Sequence, residues 1–244
     1  MIEFSGKGIL LDIEGTTSSV SYVYDVLFPY ARREVADFLE MSWSAPEVQA
    51  ACELIARDAG AFSMASWCGE GVAKEAAAGK VVAEVYKLMD ADVKATGLKE
   101  LQGIIWQEGF QKGELQSHVY PDVPKALEAW SAARLDVRIF SSGSVAAQRL
   151  LFAHSEYGDL RVHLRGYYDT RTGPKKVPSS YASIAADMNL EPPQILFLSD
   201  VVAELDAARA AGLNTGLVAR PGNAPAPPDH GHAVVTDFEQ IKIR

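Results

Sequence analysis

Thiols are nearly absent: among 244 residues only Cys52 and Cys68 carry one, and they do not form a Cys-x-x-Cys pair. Two cysteines cannot build the framework of a disulfide-stabilised secreted domain, and the pattern suits a reducing compartment. Positive charge is in deficit as well. Lys and Arg number 23 against 32 Asp and Glu, a formal net charge of -9. No nucleic-acid partner is expected, because such binding needs a basic stripe. Anionic small molecules stay open, since one cation and one Lys reverse the sign of a local site. Long apolar runs are missing too. The opening segment, residues 1–15, has a short apolar stretch beside acids, unlike a signal peptide or a membrane span. A cytoplasmic location with no membrane partner is expected. There is no internal repeat, and low complexity is confined to a Pro-rich stretch at 221–228.

What the chain does have is an ordinary globular composition, 48% apolar and 23% charged, in a length that suits a core with a smaller insert. One brief continuous apolar run stands out at 8–11, and three similar runs follow at 137–140, 195–198 and 215–218. Runs of this kind, stopped by small polar residues, suit strands buried on both faces of a parallel sheet. Helical periodicity lies between them at 145–154, 179–188 and 202–211, the last closed by Gly212. The alternation predicts an α/β, doubly wound, mostly parallel, Rossmann-like sheet. Residues 19–114 carry almost no strand signal. Their helical stretches at 24–40, 45–60, 79–94 and 98–112 read as an inserted helical cap. The expected organisation is core at 1–18, cap at 19–117 and core again at 118–244, with 118–124 as the return linker.

In an open parallel sheet, ligands bind beyond the carboxyl ends of the strands. The first apolar run is followed by Asp12-Ile13-Glu14-Gly15-Thr16-Thr17. The second is followed by Ser141-Ser142-Gly143-Ser144, and the third by Ser199-Asp200, with Glu204 one helical turn on. Gly173-Pro174-Lys175-Lys176 lies between the last two. Any one of these residues could be a turn, a helix cap or a solvated charge. Their joint placement at strand ends points to phosphoryl transfer. A carboxylate such as Asp12 can attack phosphorus and become an aspartyl-phosphate. Two acids facing a phosphate need a bound Mg²⁺ to relieve repulsion. Hydroxyls and backbone N–H groups at a helix start can hold the remaining oxygens. Lys175 would neutralise charge on the phosphate and the nucleophile. Removing it should cost activity while leaving the melting temperature nearly unchanged. Glu14, two residues past Asp12, lies on the same side of an extended chain and can act as general acid and base.

At these residues the sequence resembles the haloacid-dehalogenase-like hydrolase superfamily, with Asp12, Ser141 or Ser142, Lys175, and Asp200 with Glu204 in the motif positions. The departure is Glu14, where most phosphatases of the superfamily carry Asp. Asp-Ile-Glu-Gly-Thr-Thr is similar to the enolase-phosphatase (acireductone synthase) family of methionine salvage. The likeness continues through Phe28-Pro29-Tyr30-Ala31, Leu101-Gln102-Gly103-Ile104-Ile105-Trp106, Gly113-Glu114-Leu115, and Val119-Tyr120-Pro121-Asp122-Val123. It runs on through Ser141-Ser142-Gly143-Ser144-Val145 with Ala147-Gln148, Gly173-Pro174-Lys175 before Ser180-Tyr181, and Arg220-Pro221-Gly222-Asn223.

The resemblance implies a bifunctional Mg²⁺-dependent enzyme that enolises 2,3-diketo-5-methylthiopentyl-1-phosphate and then hydrolyses the ester to 1,2-dihydroxy-3-keto-5-methylthiopentene. It implies one Mg²⁺ per chain at Asp12, Glu14 and Asp200, with Glu14 offering its backbone carbonyl. Phosphate contacts fall to Ser141, Ser142 and Lys175, and catalysis to Asp12, Glu14 and Lys175. The residues offer both Glu14 and Lys175 as the enolisation base. The partner is a small phosphate ester, and a monomer is expected. Rivals are another phosphatase of the same superfamily, a metal-free dehalogenase, and a phospho-acceptor switch. The switch fits poorly, because it would not need the helical insert. In the insert, Trp67, Trp106 and Phe110 are expected mostly to form core rather than to line a pocket. His230-Gly231-His232 reads as a surface turn, and both cysteines read as packing residues.

Overall fold

The computed structural model describes all residues, 1–244. Its main sheet is built from β2 (Gly8–Leu11), β3 (Asp136–Phe140), β4 (Gly166–Tyr168), β5 (Ile195–Ser199), β6 (Asn214–Val218) and β7 (Ala233–Val235). Their order is β4-β3-β2-β5-β6-β7, and all five pairings are parallel. The four apolar runs became β2, β3, β5 and β6. Every residue of β2 and β5 is buried, as a strand covered on both faces requires. Helices α8 (Pro178–Met188) and α9 (Val202–Ala210) cover one face. There Tyr181, Ile184, Met188 and Leu205 pack with Leu10, Phe197 and Leu217 in one apolar cluster. Burial of such side chains stabilises by roughly 1.5–3 kcal/mol each.

Contacts divide the chain into two compact units, 1–23 with 116–244, and 24–115. The second unit is helical throughout: α1 (Phe28–Ser42), α2 (Pro46–Asp58), α3 (Met64–Cys68), α4 (Lys74–Asp90) and α5 (Thr96–Gln111). A π-helical turn, Tyr22–Leu27, leads into α1. Trp106 and Phe110 are buried. Trp106 stacks on Phe28 with ring centroids 6.3 Å apart and donates its indole N–H to the Leu27 carbonyl at 2.8 Å. These two are core, as expected, whereas Trp67 is only half-buried and lies beneath the Lys80 ammonium.

Several features differ from the sequence reading. α4 starts at Lys74 and ends at Asp90, earlier than the expected 79–94. The return segment expected at 118–124 turns helical part-way, at Asp122, as α6 (Asp122–Ala132). Four strands had no signal: β4, β7, and the separate parallel pair β1 (Ile2–Phe4) and β8 (Ile241–Ile243). Each has three residues, too few for an apolar run to register. His232 is not a surface turn residue. It is buried, with Nε2 3.1 Å from Asp206 and Nδ1 2.8 Å from the Thr215 hydroxyl.

Candidate active site

β2 is the point where the strand order reverses, with β3 on one side and β5 on the other. A crevice opens at the carboxyl end of such a strand. Asp12, Ser141 and Asp200 directly follow β2, β3 and β5, so register alone gathers them on one edge.

Asp12 extends the ladder, its N–H donating to the Leu198 carbonyl at 3.0 Å. The chain then turns sharply. The Ile13 carbonyl accepts from the amides of Thr16, Thr17 and Ser18, while the Thr17 hydroxyl donates to the Asp12 carbonyl at 3.1 Å. Gly15 completes the turn at φ +69°. A Cβ there would sit 2.3 Å from Oδ2 of Asp200, so the position admits only glycine.

The buried Asp12 carboxylate is held from three directions. Oδ1 lies 2.7 Å from the Lys175 ammonium and accepts from the Ile13 amide, and Oδ2 accepts from the Ser199 hydroxyl at 3.2 Å. Lys175 also lies 2.6 Å from Glu204, whose carboxylate approaches the same Ser199 hydroxyl. The Lys175 loop is fixed from α8: Tyr181 donates to the Lys175 carbonyl at 2.6 Å and Ser180 to the Pro174 carbonyl at 2.8 Å. Gly173, at φ +146°, lets Ser180 come that close. Burial works against the Lys175 ammonium, but the charges of Asp12 and Glu204 outweigh it and its pKa is raised. Lys175 is therefore an embedded charge, its side chain only 9% exposed.

Asp200 is pushed up to about 7, first by burial and then by the Asp12 charge, with Glu14 adding to it and Lys175 opposing it. Glu204 is likewise raised, by burial and Asp12. Glu14 itself is half-buried, and its backbone pairs with Ser18. On the far side, buried Ser141 accepts from the Gly143 amide, and Ser144 caps α7 (Val145–Ala153) by accepting from the Ala147 amide. Ser142 is half-buried in the same loop. Gln148 braces that loop by donating to the Gly143 and Tyr168 carbonyls, both at 2.8 Å.

The structure thus brings Asp12 and Lys175 into direct contact and sets Asp200 against the Asp12 loop. Strand-end position picks out Ser199 and Glu204 beside Asp200 but assigns neither a role, because the grip of both on the Asp12–Lys175 pair is visible only in three dimensions. Asp12 and Glu204 both bind the one ammonium, and Asp200 adds a third acid beside them, an imbalance that suits a bound divalent cation. All nearby donors are hard oxygens, the set Mg²⁺ prefers. No three His, Cys, Asp or Glu side chains form a ready centre, so a cation would take two carboxylates and complete its shell with carbonyl oxygen and water.

A family model described as haloacid dehalogenase-like hydrolase matches residues 7–212. A protein named enolase-phosphatase E1 from Synechococcus elongatus is 51% identical over 219 residues, covering 88% of this chain and 90% of that one. Its namesake from Pseudomonas aeruginosa is 44% identical over 237 residues, covering 97% and 98%. Among solved structures, the UTR4 protein of Saccharomyces cerevisiae superposes with a TM-score of 0.78 at 32% identity, covering 97% of this chain and all of that one. A dehalogenase at 16% identity and a TM-score of 0.55 shares the fold alone. With the doubly wound sheet and the family match over most of its length, this chain belongs to the haloacid dehalogenase-like hydrolases and, within them, to the enolase-phosphatase E1 group.

Proposed function

We propose that this chain enolises 2,3-diketo-5-methylthiopentyl-1-phosphate and then hydrolyses the phosphate ester to 1,2-dihydroxy-3-keto-5-methylthiopentene, with Asp12 as nucleophile. The observation that carries the reading is the Asp12 carboxylate, buried at the switch point of the sheet and held between Lys175 and Ser199. Lys175 is engaged by two carboxylates at 2.7 and 2.6 Å, so it serves as a charge partner, and Glu14 is left as the base for enolisation. Glu14 removes the proton from the carbon bearing the ester. An Asp12 oxygen then attacks phosphorus, the bond to the ester oxygen breaks, and that oxygen takes a proton from Glu14. Water, giving its proton to Glu14, attacks the phosphorus of the acyl-phosphate, releasing phosphate and restoring Asp12. Glu14 passes that proton to the enolate oxygen, which completes the second hydroxyl of the product and returns Glu14 to its carboxylate form. Ser141, Ser142 and Lys175 hold the phosphate oxygens. One Mg²⁺ per chain, held by the carboxylates of Asp12 and Asp200 and the backbone carbonyl of Glu14, would offset the phosphate charge and stabilise a developing enolate.

The test supplies the diketone phosphate to the purified protein and follows ultraviolet absorbance together with phosphate release. Phosphate and an absorbing product should appear together, vanish in EDTA and return with Mg²⁺. Phosphate released from other esters but not from this one would leave an ordinary phosphatase. Full activity in EDTA would remove the metal from the proposal.

A further inference from the structure

The turn after β6, Arg220-Pro221-Gly222-Asn223, reaches across β5 to grip the loop that carries Asp12. Arg220 donates from Nε to the Thr16 carbonyl at 3.0 Å. Its own guanidinium is fixed by a two-pronged ion pair with Asp122 at 2.9 and 2.8 Å and lies between the rings of Tyr120 and Phe238. Asn223 donates from Nδ2 to the Gly15 carbonyl at 2.8 Å and to the Val218 carbonyl at 3.3 Å. Both partners are acceptors, so the amide cannot be turned over without losing both bonds. Its oxygen must therefore point the other way. That oxygen, Oδ1, is buried and has no donor. It crowds the same face of Gly15 as the Asp200 carboxylate: a Cβ on Gly15 would lie 3.0 Å from Asn223 Oδ1 and 2.3 Å from Asp200 Oδ2.

A buried acceptor without a donor costs about 1–3 kcal/mol. The neighbouring carboxylate, when ionised, can only accept. What fits between them is a molecule that donates in both directions. Mg²⁺ keeps several waters of its shell when it binds to protein carboxylates, and those waters are strongly polarised donors.

We propose that Asn223 is a positioning residue for the cation site, accepting through Oδ1 from a water of the cation's shell while its amide nitrogen holds Gly15 in place. The inference rests on the metal reading above, through Asp200. Groups in this outer position change metal affinity by roughly 10–100-fold when removed.

The test measures Mg²⁺ binding by titration calorimetry on the otherwise intact protein, without substrate. Asn223→Ala should weaken binding by roughly 10-fold or more. Asn223→Asp loses the donor to Gly15 but keeps an acceptor oxygen, so it should bind Mg²⁺ at least as tightly as the parent while melting at a lower temperature without metal. Equal weakening in both variants would mean that only the grip on Gly15 matters, and would overturn the acceptor role. Parental affinity in Asn223→Ala would overturn the proposal outright. Should Asn223→Ala fail to fold, Asn223→Asp decides alone, because weakened binding there contradicts the proposal. Asp200→Asn serves as the control: if it binds Mg²⁺ like the parent, the metal reading itself has failed, and this inference with it.

Discussion

The two units treat charge in opposite ways. In the helical unit, 24–115, each ion pair lies at the surface: Arg32–Asp90, Arg33–Glu34, Lys87–Glu84 and Lys112–Glu108 all have cations at least 42% exposed. Its one buried polar side chain is Gln102. The sheet unit instead buries Lys175 with Asp12 and Glu204, and Arg220 with Asp122. Exposed pairs are worth about 0–1 kcal/mol. Buried ones cost desolvation and persist only where geometry satisfies them, so breaking one leaves an uncompensated charge worth about 3–5 kcal/mol. The difference locates the chemistry, since the sheet unit alone holds ionised groups away from water, where their fields are strong.

Substitutions at Asp12, Lys175, Asp200 and the Glu84–Lys87 pair probe this contrast. Asp12→Asn should reduce phosphate release by roughly 10⁴-fold or more, the scale on which nucleophiles fail. At high Mg²⁺ the same variant should still form the enol, seen as an absorbing species whose ester is intact by phosphorus NMR. Normal phosphate release from this variant would strike Asp12 from the mechanism.

Lys175→Ala should lower turnover by about 10³-fold, taking oxyanion-donor deletions as the guide. It should also destabilise by about 3–5 kcal/mol, because two buried carboxylates lose their ammonium. This revises the sequence-based expectation of an unchanged melting temperature. Lys176→Ala, exposed next door, should change neither, and damage there would mean that the wrong lysine is assigned.

A third measurement uses pH. Asp200 rises from 3.8 to about 7 on folding, so the folded chain holds its proton more tightly than the unfolded one. Its penalty is absent below pH 3.8 and grows until pH 7. In EDTA, Asp200→Asn should therefore melt above the parent at pH 8, and the gap should close toward pH 4. Mg²⁺ should stabilise the parent and not the variant. A pH-independent gap would contradict the burial of this carboxylate. Least affected should be the helical surface, where a double-mutant cycle on Glu84 and Lys87 should give a coupling under about 1 kcal/mol in chemical denaturation.

The sheet was legible because β2 and β5 carry apolar runs and β3 and β6 carry similar ones interrupted only by Arg138 and Thr215, and strand ends then pointed to Asp12, Ser141 and Asp200. β4 stayed hidden because Gly166-Tyr167-Tyr168 is short and because Gly166 is covered by the Arg138 side chain, which a Cβ would meet at 2.8 Å. The roles of Glu204, Arg220 and Asn223 were illegible for a different reason. Each acts on a residue far away in sequence, and pattern reading sees only neighbours. His232 was misread because two histidines after a Pro-rich loop look solvated, while Asp206 and Thr215 draw one of them inside.

The central strand has a folding problem, and the helical unit answers it. Gly8 must find Asp136 on one side and Ile195 on the other, contacts whose long separation slows folding, because closure entropy comes before any pairing. Most of the first span is the helical unit, whose ends are tied to each other: Trp106 to the Leu27 carbonyl, and Tyr30 to Glu114 at 2.7 Å. Once that unit has folded, the chain re-emerges beside the point where it left. The search that β2 makes for β3 then crosses a short effective loop, although the insert is long in sequence.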